Sequence, residues 1–202
     1  ILYADIQQQA NAANNQLNVD QQDFAGWASW SYAPSDEWYH YAAASNYGDE
    51  FDMNDLGYMK RNGFNELYAS SRHDRLQYAP ESKILSSNTK LEYGYKETTE
   101  GDRLSLWTEL DHTWIFRSTR TLSFKAGLIA ASNDDRITRG NGLLATPARY
   151  SLETRYASPR GNDFTYDTEL EVKYDSQQKR SVDLVFRPQL YLSETLTLGG
   201  EF

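Results

Sequence analysis

Strict alternation of apolar and charged residues is the feature that most constrains how this chain can fold. Between Phe164 and Tyr174 one parity is apolar or aromatic with a single threonine, while the other parity is polar or charged throughout. Successive side chains of a β-strand point to opposite faces of the sheet. The pattern therefore predicts a strand with one apolar face and one charged face.

The same pattern recurs along most of the chain, separated by clusters rich in Pro, Gly, Asn, Asp and Ser that favour tight turns. No segment carries the apolar stripe of an amphipathic helix, and residues 7–16 are polar and of low complexity. Residues 132–146 are predicted to form an extended surface loop. About ten or eleven antiparallel strands are expected, at residues 24–33, 38–47, roughly 57–72, 85–96, 104–116, 122–130, 149–156, 164–174, 182–192 and 195–202.

Two all-β architectures fit such strands. A soluble sandwich would bury the apolar faces between two sheets, whereas a transmembrane barrel would turn them toward lipid. Strands of ten or more residues, aromatic residues near strand ends and mixed charges on single strands favour the barrel. The predicted fold is an antiparallel up-and-down transmembrane β-barrel, or a segment of a larger one, formed by residues 1–202 as part of a longer chain.

The barrel hypothesis assigns each face of the strands to one environment. The residues predicted to face the lumen are Lys90, Glu92, Glu109, Asp111, Lys125, Glu153, Arg155, Asp167, Glu169, Glu171, Lys173, Asp183 and Arg187. The residues predicted to face lipid are Leu91, Tyr93, Leu104, Leu106, Leu110, Leu122, Phe124, Leu170, Val172, Leu184 and Phe186.

Composition excludes several classes of protein. The 202 residues carry a formal net charge of -9, which argues against a nucleic-acid partner because phosphate binding needs a basic surface. The absence of cysteine excludes a disulfide scaffold and thiolate metal sites. No apolar run is long enough for a membrane-spanning helix. The chain begins without methionine or a signal peptide, so we expect it to be part of a longer protein.

Catalytic and metal-binding motifs are weak. His40, His73 and His112 are far apart and form no metal-binding pair, so we predict no metal site. Acidic neighbours such as Glu169 and Glu171 lie within glycosidase range of each other, but a charged lumen face produces the same pattern. Residues 52–57 superficially resemble a calcium loop, although a turn is the better interpretation. We expect no catalytic residue and no cofactor.

Two segments resemble a known family. Residues 48–62, GDEFDMNDLGYMKRN, together with Phe186-Arg187-Pro188-Gln189-Leu190 and residues 193–198, are similar to parts of a family of large bacterial outer-membrane proteins. Its members carry an N-terminal domain similar to family 9 carbohydrate-binding modules, followed by a β-barrel of uncharacterised function. The resemblance implies that this chain is part of such a barrel. The alternation of residues 196–202 resembles the C-terminal signal of outer-membrane barrels, with an excision point at Phe202 as the alternative.

These patterns predict a non-enzymatic protein of the Gram-negative outer membrane. It would act as a pore or as the membrane anchor of an envelope complex, with a link to carbohydrate binding or uptake. The expected partners are outer-membrane lipid and either another envelope protein or a carbohydrate. Two alternatives stay open: a secreted or surface all-β glycosidase or sugar-binding domain, and a barrel that presents residues 132–146 to another envelope protein.

Overall fold

A computed structural model describes residues 2–6, 21–49, 63–134, 142–193 and 196–202. Every regular element within these ranges is a β-strand. The described part of the chain contains no helix with the length and hydropathy needed to cross a membrane. The strands are β1 (Leu2–Ile6), β2 (Gln21–Ser35), β3 (Trp38–Tyr47), β4 (Phe64–Arg75), β5 (Ile84–Thr98), β6 (Arg103–Phe116), β7 (Thr121–Ile129), β8 (Ser132–Asp134), β9 (Leu144–Thr146), β10 (Arg149–Ala157), β11 (Phe164–Asp175), β12 (Arg180–Ser193) and β13 (Leu196–Gly199).

Eleven of these strands form one antiparallel sheet, and their order across the sheet follows their order in the chain. Its order is β1-β2-β3-β4-β5-β6-β7-β10-β11-β12-β13, and β8 and β9 form a separate small hairpin between β7 and β10. Among the described residues β1 and β13 are edges that do not pair with each other, so the sheet is not closed into a barrel. The all-β class, the up-and-down order and the number of strands expected from the sequence are confirmed.

The alternation located most strands to within two residues of their ends. β3 has the predicted bounds, and β4 begins at Phe64 after Gly63, which adopts a positive φ of 65°. Prediction missed β1, and it treated residues 132–146 as a loop, whereas β8 and β9 pair there. The polar segment 7–16 and the first part of the predicted strand 57–72 lie outside the described residues.

The strands end at two opposite edges of the sheet, which we call the A rim and the B rim. The strand ends of the A rim flank residues 36–37, 76–83, 117–120, 158–163 and 194–195 in the chain. The strand ends of the B rim flank residues 7–20, 48–63, 99–102, 130–148 and 176–179 in the chain. The three longest connections in sequence all belong to the B rim.

Within the described ranges the sheet is a single layer, and no other element packs across either face to make a core. Ala25 and Phe64 are the only hydrophobic residues of the described part that are buried. Large hydrophobic side chains instead remain exposed along the strands, with Val182 and Leu184 each 66% exposed. A globular domain of this length normally hides a substantial core. This sheet has apolar surface that some other medium or molecule must cover.

Candidate functional site

Register separates the side chains of the sheet into two chemically distinct faces. Residues opposite each other in a ladder share a face. One row runs Lys90, Asp111, Lys125, Glu153, Glu171 and Asp183 across β5 to β12. A neighbouring row runs Leu91, Leu110, Ala126, Leu152, Val172 and Val182 across the same strands. We call the first the polar face and the second the apolar face.

All thirteen residues predicted to face a lumen lie on the polar face. Each is an even number of positions from the first-row residue of its own strand, or is that residue itself. The eleven residues predicted to face lipid share the parity of the second row. Leu104 does so at a register shift, where Lys96 pairs with Ser105 and Glu97 with Arg103. The two predicted sets therefore lie on opposite faces of the sheet, and their assignment to lumen and lipid stays a prediction.

Ion pairs, both within single strands and between neighbouring strands, cover much of the polar face. Lys90 Nζ lies 2.9 Å from Glu92 Oε1, and Lys173 Nζ lies 2.8 Å from Glu171 Oε2. Between strands β6 and β7, Lys125 Nζ lies 2.9 Å from Glu109 Oε1. These lysine side chains remain partly exposed, so water and salt screen each pair and its contribution to stability is small.

A longer series of alternating charges runs across the sheet from β10 to Glu201, which follows β13. Arg155 Nε lies 2.5 Å from Glu153 Oε1, and its Nη2 lies 3.4 Å from Glu169 Oε1. On the other side of Glu169, Arg187 Nη1 lies 3.4 Å from Oε2 and Arg187 Nε lies 2.9 Å from Glu201 Oε2. Two arginines therefore share the Glu169 carboxylate, and three adjacent strands are connected by charge.

Carboxylates also stand directly opposite one another. Glu153, Glu171 and Asp183 are consecutive partners on β10, β11 and β12. Like charges in register are unfavourable unless cations lie beside them, and Arg155 and Lys173 pair with the first two. Because Glu169 and Glu171 each hold an ion pair with a cation, the arrangement is one of charge balance on a polar surface.

Charged residues are almost confined to the polar face. Of the Asp, Glu, Lys and Arg residues in β3–β7 and β10–β13, four lie on the apolar face: Arg75, Glu97, its ladder partner Arg103, and Arg180. Each occupies one of the last two positions at an end of its strand. The middle of the apolar face is therefore a continuous band without charge.

Aromatic rings border this uncharged band on both sides. Near the A rim the apolar face carries Trp38, Trp114, Tyr156 and Tyr166, with the Tyr156 and Tyr166 ring centroids 5.8 Å apart. Near the B rim it carries Tyr95, Tyr150 and Tyr174, with the last two rings 6.1 Å apart. Between the two borders lie mainly leucine, valine and alanine. Sequence reasoning had expected aromatic residues at strand ends, and the register aligns them across strands.

Comparison with protein families identifies the chain at the family level. The model of the family described as Domain of unknown function (DUF5916) matches residues 4–202. The chain belongs to this DUF5916 family. No curated protein and no solved structure matches it.

The three histidines of this DUF5916 chain lie on the apolar face near the A rim, where they contact aromatic and hydroxyl side chains, and His73 Nε2 also lies 3.7 Å from Glu37 Oε2. His73 stacks on Trp38 with centroids 4.3 Å apart, His40 Nδ1 lies 3.0 Å from Ser71 Oγ, and His112 Nδ1 lies 2.7 Å from Thr89 Oγ1. Within the described ranges no group of three His, Asp or Glu side chains could hold a metal ion. The calcium-like segment 52–57 lies outside those ranges.

An aromatic cluster on the polar face of the DUF5916 chain was not anticipated. Trp107 lies opposite Gly94 in the ladder, and its indole fills the space where a Cβ of residue 94 would stand. Tyr68 is the partner of Gly94 on β4, and its ring centroid lies 6.3 Å from that of Trp107. The Tyr68 hydroxyl donates a hydrogen bond to the Glu92 carboxylate. A glycine inside a strand pattern signals a close approach of this kind, and it was the one clue in the sequence.

Proposed function

We propose that this chain forms part of the wall of a β-barrel in the outer membrane of a Gram-negative bacterium. The barrel serves as a pore or as the membrane anchor of an envelope complex. In this arrangement the apolar face contacts lipid and the polar face lines the interior. Catalysis plays no part in the proposal.

The observation that carries the proposal is the uncharged, exposed band of the apolar face. Val182 and Leu184 are two-thirds exposed, yet in the described strands β3–β7 and β10–β13 the charged residues of that face lie at strand ends. In water such a band would favour aggregation or require a second layer of protein. In hydrocarbon it needs neither, because the lipid chains cover it and the paired strands between the two edges satisfy one another's backbone hydrogen bonds.

The dimensions of the band suit an outer membrane. Tyr166 and Tyr174 border it on β11 and are eight residues apart, about 26 Å along a strand. At the usual strand tilt of about 40° this corresponds to about 20 Å across the membrane, against about 25 Å for known barrels. Aromatic rings at both borders are typical of the two membrane interfaces.

The polar face suits the interior of a barrel. The thirteen residues predicted to face the lumen comprise eight carboxylates and five cations. This excess of carboxylates makes the polar face hydrated and slightly acidic. We also propose that the DUF5916 family is the barrel family with an N-terminal carbohydrate-binding domain that the sequence resembled. Carbohydrate binding or uptake would then be the task that the barrel supports.

Orientation follows from the lengths of the connections. Outer-membrane barrels place short turns in the periplasm and long loops outside the cell. The B rim holds the connections 7–20, 48–63 and 130–148, while no connection of the A rim exceeds residues 76–83 in length. We therefore place the B rim outside the cell and the A rim in the periplasm.

Tryptophan fluorescence tests the proposal, because β6 carries one tryptophan on each face. Trp114 shares the parity of Leu110 on the apolar face, and Trp107 shares the parity of Glu109 on the polar face. Two variants are prepared, each keeping one of these residues and replacing the other four tryptophans with phenylalanine. In vesicles with phospholipids brominated near the headgroup end of their acyl chains, we expect strong quenching of Trp114 and little quenching of Trp107.

Both tryptophans are on the same strand, so incomplete folding or insertion would affect both variants alike. Equal quenching of the two residues would contradict the separation of lipid and lumen faces. No quenching of either residue, with protein recovered in the soluble fraction, would favour a soluble all-β domain whose apolar face is covered by protein.

A further inference from the structure

The two edges of the eleven-stranded sheet run in the same direction. All neighbouring strands are antiparallel, so the strands at odd-numbered positions in the sheet run one way and those at even-numbered positions run the other way. β1 occupies the first position and β13 the eleventh. Both run from the A rim toward the B rim, and a direct ladder between them would be parallel.

Both edges also leave long stretches of backbone uncovered. β1 pairs only with Gln21–Ala25, so residues 26–35 of β2 have no strand on that side within the described ranges. β13 and the residues after it pair with residues 186–193 of β12, ending with reciprocal hydrogen bonds between Phe186 and Phe202. Residues 180–185 of β12 are likewise open in the described part. In hydrocarbon, each unpaired N–H and C=O would cost several kcal/mol.

A second copy of the same sheet does not solve this problem. Copies inserted with the same orientation meet head to tail, with β13 of one chain beside β1 of the next. That seam is again parallel, whatever the number of copies. An antiparallel seam between two β13 strands would require one copy to be inserted upside down.

We propose that the wall is completed by an odd number of further strands from the same polypeptide, which pair antiparallel with both β1 and β13. The inference rests on the proposed barrel function. An odd number makes the total even and every ladder antiparallel, as in bacterial barrels formed by single chains. Because the two faces must continue around the wall, each added strand alternates apolar and polar residues.

Site-specific photo-crosslinking in the intact protein, in its native membrane, tests this proposal. A benzophenone amino acid is placed at Thr197 in β13 or at Ser29 in the open part of β2. Ser123 in β7, between β6 and β10, is the matched control on the same face. After irradiation the crosslinked peptides are identified by mass spectrometry.

We expect the Ser123 probe to capture peptides of β6 and β10 only. The Thr197 and Ser29 probes should each capture, besides β12 or β3, a peptide of the same protein lying outside residues 1–202. Capture of β1 or β2 by the Thr197 probe would overturn the proposal. The two edges of the sheet would then lie next to each other, with no further strand between them. A peptide from another protein, or no peptide beyond β12 and β3, would also overturn it.

Alkaline carbonate extraction of the same membranes separates this result from the proposed function. If carbonate releases the protein, the barrel function fails whatever the probes capture. If the protein stays in the membrane and Thr197 captures β1 or β2, only the proposal of further strands fails.

Discussion

At the scale of single residues, the pair of Gly94 and Trp107 is the most constrained feature of the polar face. The indole occupies the place of a Cβ at Gly94, which is buried beneath it. Aromatic residues commonly cover glycines in this way across strands of designed and natural barrels. We expect Gly94→Ala to destabilise the folded protein by about 1–3 kcal/mol, because the methyl group overlaps the ring. Urea unfolding in lipid vesicles measures this change.

Removal of the ring provides the control for that substitution. In a Trp107→Ala background the methyl group meets no indole, and alanine suits a strand better than glycine does. The cost of Gly94→Ala should then vanish or reverse sign. The same cost in both backgrounds would show that the backbone of Gly94, and not its contact with Trp107, is responsible.

At the scale of elements, β11 shows how one strand serves two environments. Leu170 belongs to the uncharged band, while its neighbour Glu169 shares its carboxylate between Arg155 and Arg187. We expect Leu170→Arg to cost about 2–4 kcal/mol near the bilayer midplane. Glu169→Gln should cost less than about 1 kcal/mol, because the ion pairs are partly exposed and the amide keeps hydrogen-bonding groups. Unfolding in vesicles compares the two, and equal tolerance of both would contradict the assignment of faces.

The strands also show which structural features the sequence could predict and which it could not. Alternation reports which way a side chain points within its own strand, so each of the two residue sets falls on a single face of the sheet. It contains no information on register, and the approach of Trp107 to Gly94 therefore remained hidden. β1 was missed because it is five residues long, and β8 and β9 because three residues each are too short to show a period.

At the scale of the whole molecule, the two rims predict which connections are reachable from outside the cell. A short epitope inserted between Gln177 and Gln178 extends the B rim, and one inserted between Gly161 and Asn162 extends the A rim. Both positions lie in turns between strands, so neither insertion interrupts a ladder. We expect antibody to label intact cells carrying the first epitope and to reach the second only after the outer membrane is permeabilised. The reverse pattern would invert the orientation.

The single-layer construction of the sheet determines when it can form. With Ala25 and Phe64 as its only buried hydrophobic residues among those described, the sheet gains little from folding in water. If the apolar face contacts lipid as proposed, most of the stabilisation arises when lipid replaces water over that face. Strand pairing would then be coupled to membrane entry, and a holdase chaperone would have to keep the chain unfolded during transit. Synthesised without a membrane, the same chain would collect in inclusion bodies, recoverable by dilution from urea into detergent micelles.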